Sequence, residues 1–266
     1  MDEWIVNHPA LFRTGLFGFL FLVFSVWELM KPDHVPFLSR KERWLSNISL
    51  VVLNNILVRY ILPISVLFFS DLVWQNNWGL LPALSLPISV TVFLGIVALD
   101  FIIYLQHVLF HSIPILWKLH RMHHADLDLD VTSGIRFHPL EILISMGIKF
   151  AAIFLLGVPP IGVLIFEIIL NGMAMFNHSN IYIPERIDRV LRILFVTPSM
   201  HRIHHSIRRE EYNTNFGFNL SIWDHLMLTY KDKFQNKLVL GLPYFRDTKF
   251  SKLNWMLAIP FVEEME

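Results

Sequence analysis

The chain has 266 residues, 54% of them hydrophobic, with a mean hydropathy of +0.50 and a formal net charge of zero. That apolar excess is too large for one soluble core and points to an integral membrane protein, while the charge balance offers nothing to nucleic acid. Cysteine is absent, which excludes disulfides, iron–sulfur clusters, thiolate-ligated haem and a cysteine nucleophile.

The opening MDEWIVNHPALFRTG lacks a basic n-region, so it does not read as a cleaved signal peptide. Leu11–Met30 is nearly unbroken apolar sequence, long enough to cross about 30 Å of hydrocarbon. A polar loop with Lys31, Arg40, Lys41 and Arg43 follows. Asn47–Ser70 reads as a second span interrupted by Arg59 and Pro63. Residues 71–86 lack Lys and Arg, and Pro87–His111 is a third long apolar helix. Cations return after it (Lys118, Arg121, Arg136), which by the positive-inside rule puts this end in the cytoplasm and the N-terminus outside.

The third span ends in HVLFHSIPILWKLHRMHH, five of the thirteen histidines in one stretch. Residues four apart share a helix face, so His107 and His111 point the same way, and His120, His123 and His124 cluster on the next segment. Pro114 breaks the helix between them. His201, His204 and His205 repeat the HxxHH spacing about eighty residues later, behind a helix start at Thr197-Pro198. A lone histidine on an apolar helix is usually a satisfied packing residue. Three clusters at helical spacing indicate metal, because neutral imidazole is a common ligand for zinc, copper and iron.

Residues 141–177 carry Gly157-Val158-Pro159-Pro160 at their middle and read as a transmembrane hairpin or a re-entrant pair. Either returns the chain to the side it left, as the two HxxHH clusters require in order to meet. Glu167, Asn171 and His178 form a polar stripe, which adds His178 to the metal ligands. Asp100, Tyr104, His107 and His111 form another, making Asp100 a candidate to accept an imidazole N–H and fix its tautomer. Glu167, Asn171, Asp224 and His138 are further candidates for such support. His138 is open between ligand, supporting donor and helix start. His8, His34 and His225 have no cluster partner and are expected not to ligate. Residues 187–196 alternate apolar and cationic positions, suiting a helix on the membrane surface or one packed on the catalytic region.

The expected fold is an all-α integral membrane protein. About three long spans plus a hairpin or re-entrant pair form the bundle, under a cytoplasmic histidine-rich helical cap. It forms a single domain over 1–266, with N-terminal spans 1–99, a histidine-motif region 100–230 and a tail 231–266. The absence of HExxH and of carboxylates within the clusters disfavours a zinc hydrolase, whereas two redox metals would suit O₂ chemistry on a lipid. A non-catalytic metal carrier or transporter is the alternative, although transporter sites tend to lie near the bilayer midplane.

HVLFH, HRMHH, RFHPLE, NHSN, TPSMHRIHHS, NTNFG and WDHL, in this order over residues 100–230, resemble the fatty acid hydroxylase/sterol desaturase superfamily. The resemblance implies two iron ions held by His107, His111, His120, His123, His124, His178, His201, His204 and His205. It also implies O₂, a membrane lipid substrate such as a sterol, fatty acyl chain or ether lipid, and hydroxylation or desaturation. Electrons would come from a separate cytochrome b5, ferredoxin or reductase. Two departures stand out. The family ending WDRLFGTY is here WDHLMLTY, with His225 for Arg and Leu228 for Gly. Ala174 stands where some relatives have histidine, implying fewer protein ligands on the second iron.

Overall fold

A computed structural model describes residues 9–235 and 237–263. Among them the chain is helical and contains no strand beyond isolated bridges. Five helices are long and apolar enough to span a bilayer: α1 (Pro9–Met30), α2 (Arg40–Ile61), α5 (Ile88–Ser112), α7 (Pro139–Leu156) and α8 (Pro160–His178). Short α3 (Val66–Gln75) and α4 (Leu80–Ala83) join α2 to α5. The chain is thus a multi-pass membrane protein of the expected class.

The second span differs from its expected bounds. Pro63 disfavours helical backbone at Leu62, where ψ is 83°, so α2 stops at Ile61 and α3 starts separately behind a Ser65 cap. At its other end α2 extends back to Arg40, because the polar residues there are buried by partners. Arg43 reaches Asp126 at 2.9 Å and Asp130 at 2.5 Å, and Asn47 donates to Thr132 at 2.9 Å.

The hairpin resolves into two helices of 18 and 19 residues, about 27–29 Å each, enough to cross. Its tip packs backbone to backbone on the α3–α4 turn. A Cβ on Gly157, at φ +67°, would lie 2.3 Å from the Trp78 carbonyl, and one on Gly79, at φ +97°, 2.3 Å from the Gly157 nitrogen. Only glycine fits both the left-handed backbone and that approach.

At the opposite end, α6 (Pro114–His124), α9 (Glu185–Leu191), α10 (Pro198–His204), α11 (Arg209–Tyr212), α12 (Ile222–Leu226) and α13 (Leu253–Ala258) form a cap. The segment DLDLD after α6 is its structural knot. Asp126 and Asp130 hold Arg43, and Asp128 accepts the N–H groups of Phe37 and Leu38 at 2.9 and 2.7 Å. Buried Glu28, at the end of α1, accepts from Val131 N and Asn180 N at 2.8 and 2.7 Å. These bonds tie α1, α2 and α8 to one loop.

Candidate metal centre

All nine predicted ligands converge, and they divide into two groups. His107, His111, His120, His124 and His204 form one; His123, His178, His201 and His205 form the other. Within each, the candidate donor atoms lie within 4.8 Å of one another. Each HxxHH motif is split. His120 and His124 enter the five-membered group while His123 enters the other; His201 and His205 enter the four-membered group while His204 crosses back. Helix geometry explains it: at 100° per residue, i+4 lies about 40° to one side of i and i+3 about 60° to the other. A single turn of helix thus serves two sites. The groups touch, with the rings of His124 and His205 stacked at 4.4 Å.

The Nδ1 atoms determine what the Nε2 atoms can do. His107 Nδ1–H donates to Phe216 O at 2.8 Å, His120 to Glu141 Oε1 at 2.6 Å, and His123 to Arg136 O at 3.1 Å. His178 donates to Ala174 O at 2.7 Å, and His204 to Thr214 O at 2.8 Å. A neutral imidazole protonated at Nδ1 carries a lone pair at Nε2. Yet Nε2 of His107 and His120 are 3.1 Å apart, and those of His123 and His178 3.0 Å apart. Lone pairs face each other at these contacts, an arrangement a shared cation would resolve. His178 Nε2 also meets His201 Nε2 at 3.0 Å, and one ring nitrogen cannot make two hydrogen bonds. Metal–nitrogen bonds of about 2.0–2.1 Å put adjacent ligand nitrogens about 3.0–3.4 Å apart. Nε2 of His111, His124 and His204 are buried without a hydrogen-bond partner among the described residues. The donor set therefore fits two metal ions.

Electrostatics favour the ligating form. Burial, reinforced by the neighbouring imidazoles, pushes His123, His124, His201 and His205 well below the usual histidine range. Burial pushes His204 down to about 3. These side chains are neutral near pH 7.

The supporting residues differ from expectation. Asp100 accepts from Trp223 Nε1 at 2.7 Å and Leu220 N at 3.3 Å, and touches no histidine. It lies on the His107 stripe, but seven residues is about 10 Å of helix, beyond a carboxylate's reach. The carboxylate that takes a ring N–H is Glu141. Its only sequence signal is its place in RFHPLE, one turn into α7. Glu167 is committed to Lys149 at 3.0 Å and Arg13 at 2.9 Å, knitting α7 and α1 to α8, and Asn171 donates to the Glu167 carbonyl at 2.7 Å. Eleven residues, about 16 Å, separate Glu167 from His178.

His138 proves to be a helix start. Its Nδ1 accepts from Leu140 N at 3.2 Å, and its Nε2–H donates to Leu257 O at 3.3 Å. Asp224 acts one step removed: it accepts from the Phe216 and Gly217 N–H groups at 2.8 and 2.7 Å, fixing the peptide whose carbonyl receives His107. Asn213, not anticipated, places its Oδ1 3.3 Å from His111 Nδ1. His34 and His225 lie outside both groups, with the His225 ring stacked on Tyr230 at 4.0 Å; His8 falls outside the described residues.

Comparison with known proteins agrees with this geometry. The chain is 32% identical over 157 residues to the ornithine lipid hydroxylase OlsE of Rhizobium tropici, covering 59% of this chain and 44% of that protein. It is 28% identical over 177 residues to human alkylglycerol monooxygenase, covering 65% and 35% respectively, and 26% identical over 177 residues to the Xenopus tropicalis enzyme. The chain thus matches less than half the length of these relatives. No solved structure matches. The family model described as fatty acid hydroxylase matches residues 92–229, more than half of the chain and every histidine of both groups. This chain belongs to the fatty acid hydroxylase family.

Proposed function

We propose that this protein is a membrane-bound lipid hydroxylase with two iron ions, one held by each histidine group. The observation that carries the reading is the shared polarity of six of the nine imidazoles. Six Nδ1–H groups are spent on oxygen acceptors, leaving their Nε2 lone pairs to converge within the two groups. Bound there, the iron pair would activate O₂ so that one oxygen atom enters a C–H bond: RH + O₂ + 2e⁻ + 2H⁺ gives ROH + H₂O.

The chain's own residues do the rest. Glu141 holds the His120 ring and increases its donor strength. Asp224 holds Phe216, and through its carbonyl His107. The knot around Arg43 fixes the loop that follows His124, and burial keeps bulk water from both groups. The two electrons come from a separate donor of the cytochrome b5, ferredoxin or reductase kind, meeting the cap on the cytoplasmic face. The orientation rests on the cations that flank the histidine end.

The names of the relatives, an ornithine lipid hydroxylase and alkylglycerol monooxygenases, favour hydroxylation over desaturation. They also favour an ornithine-lipid-like or alkylglycerol-like substrate over a sterol. The test is to count iron in the purified full chain and follow O₂ consumption with a chemically reduced donor and membrane lipids, comparing lipids with and without the protein. Two irons per chain and a lipid product heavier by one oxygen are expected. Iron without O₂ consumption would identify a metal carrier, and absence of iron would overturn the reading.

A further inference from the structure

The stretch from α9 to the following turn buries a charged pair while exposing large apolar side chains, an unfavourable arrangement for a water-facing segment. Its charged pair faces inward: Asp188 is 4% exposed and Arg192 8%, joined at 2.6 Å. Its apolar side chains face outward, with Val190 67% exposed, Ile193 69% and Ile187 54%. The same surface continues onto α12 and the residues after it. Ser221 N donates to Leu194 O and Ser221 Oγ to Arg192 O, and Phe195 bridges Leu220. There Leu226 is 64% exposed and Leu228 91%.

Leu228 adds an independent sign. It stands at φ +60°, a left-handed conformation that costs a leucine roughly 1–2 kcal/mol, with its side chain turned away from the protein. Strain and exposure together make it a poor residue for water.

Its position against α5 is fixed by the partners. Trp223 packs on Phe101 at 4.8 Å and bonds Asp100, and Thr229 meets Tyr104 at 2.9 Å. Asp100 lies about 10 Å down α5 from His107, within the span. The apolar surface therefore sits beside a membrane helix, displaced along it from the histidines by a distance comparable with the roughly 5–10 Å to which in-plane elements sink. Arg186 and Arg189 are exposed on the same helix, Arg189 paired with Glu185 at 3.2 Å, as suits a headgroup region.

We propose that residues 185–196 and 220–228 form a sixth, non-spanning membrane element. Its outward apolar side chains are lodged among the acyl chains of the leaflet on the histidine side. The chain offers a clean test because it has no native cysteine. Val190→Cys, Ile193→Cys and Leu228→Cys in the full chain would each carry a nitroxide in phosphatidylcholine/phosphatidylglycerol vesicles. All three labels should collide several-fold more with O₂ than with a water-soluble nickel chelate, while a label at Lys233→Cys shows the reverse. Nickel accessibility at 190 and 228 equal to that at 233 would overturn the proposal. Should a variant fail to fold, the unsubstituted chain can be labelled in the same vesicles with an acyl-chain diazirine. Adducts on 187–195 and 226–228 are expected, and adducts confined to the five spans would overturn it. Neither readout depends on iron.

Discussion

The two histidine groups share the turns of α6 and α10, with α5 completing one and α8 the other, and they differ in what stands behind them. The five-membered group has a carboxylate, Glu141, on His120 and a half-buried member, His111, at its edge. The four-membered group is wholly buried, and its acceptors are the backbone carbonyls of Arg136 and Ala174. A charged acceptor raises the basicity of the imidazole it holds; a carbonyl mainly orients it. The first group therefore has a ligand to spare and stronger donation, while the second has neither. Equivalent substitutions should not have equivalent effects.

The largest contrast is expected between His178→Ala and His111→Ala. Removing His178 leaves three imidazoles in the smaller group, so iron should fall toward one per chain and turnover should cease. Removing His111 leaves four, and both irons should be retained. Metal analysis of the two purified variants decides it, and equal losses would erase the distinction.

Next in size is Glu141→Ala, which should weaken iron in the five-membered group alone by about 10–100-fold. Glu141→Gln retains an acceptor without the charge and should recover part of the loss. Chelator titration resolves the two irons, and a variant losing both equally would place Glu141 outside this role.

Both groups should make the metal-free protein acid-sensitive. Burial holds the His204 imidazole at about 3, against about 6.5 in an unfolded chain. Between those values the unfolded state binds more protons, so stability rises with pH there. It should be complete above about pH 6.5 and decline as the pH falls toward 3. Thermal melting of the metal-free chain from pH 7.5 to 4 checks this, with a flat profile as the contrary result. The smallest effect belongs to His225→Ala, which lies outside both groups and should keep both irons and most activity by the same metal and O₂ measurements.

The helical class, the first and third spans and all nine members of the two groups were legible in the sequence, because hydropathy and helical spacing are local properties; the bounds of the second span and the choice between hairpin and re-entrant pair were not. The 3.6-residue period alone brings His107 to His111 and sets His123 against His124. Other features depended on residues far apart in the chain. Which group each histidine joins was decided by the meeting of α5, α6, α8 and α10. Asp100 shares a stripe with His107, but axial distance gave it to Trp223; His107 went to the Phe216 carbonyl, and Glu141 from another helix took the His120 imidazole. Glu167 likewise shares a face with His178 and answers instead to Arg13 and Lys149. The alternation in 187–196 gave no indication that Asp188 and Arg192 face inward while Arg189 stays exposed, since that required Asp188 to find Arg192 and Ser199. Spacing along one helix determines which side chains share a face; what that face meets is set by contacts between elements, which periodicity does not encode.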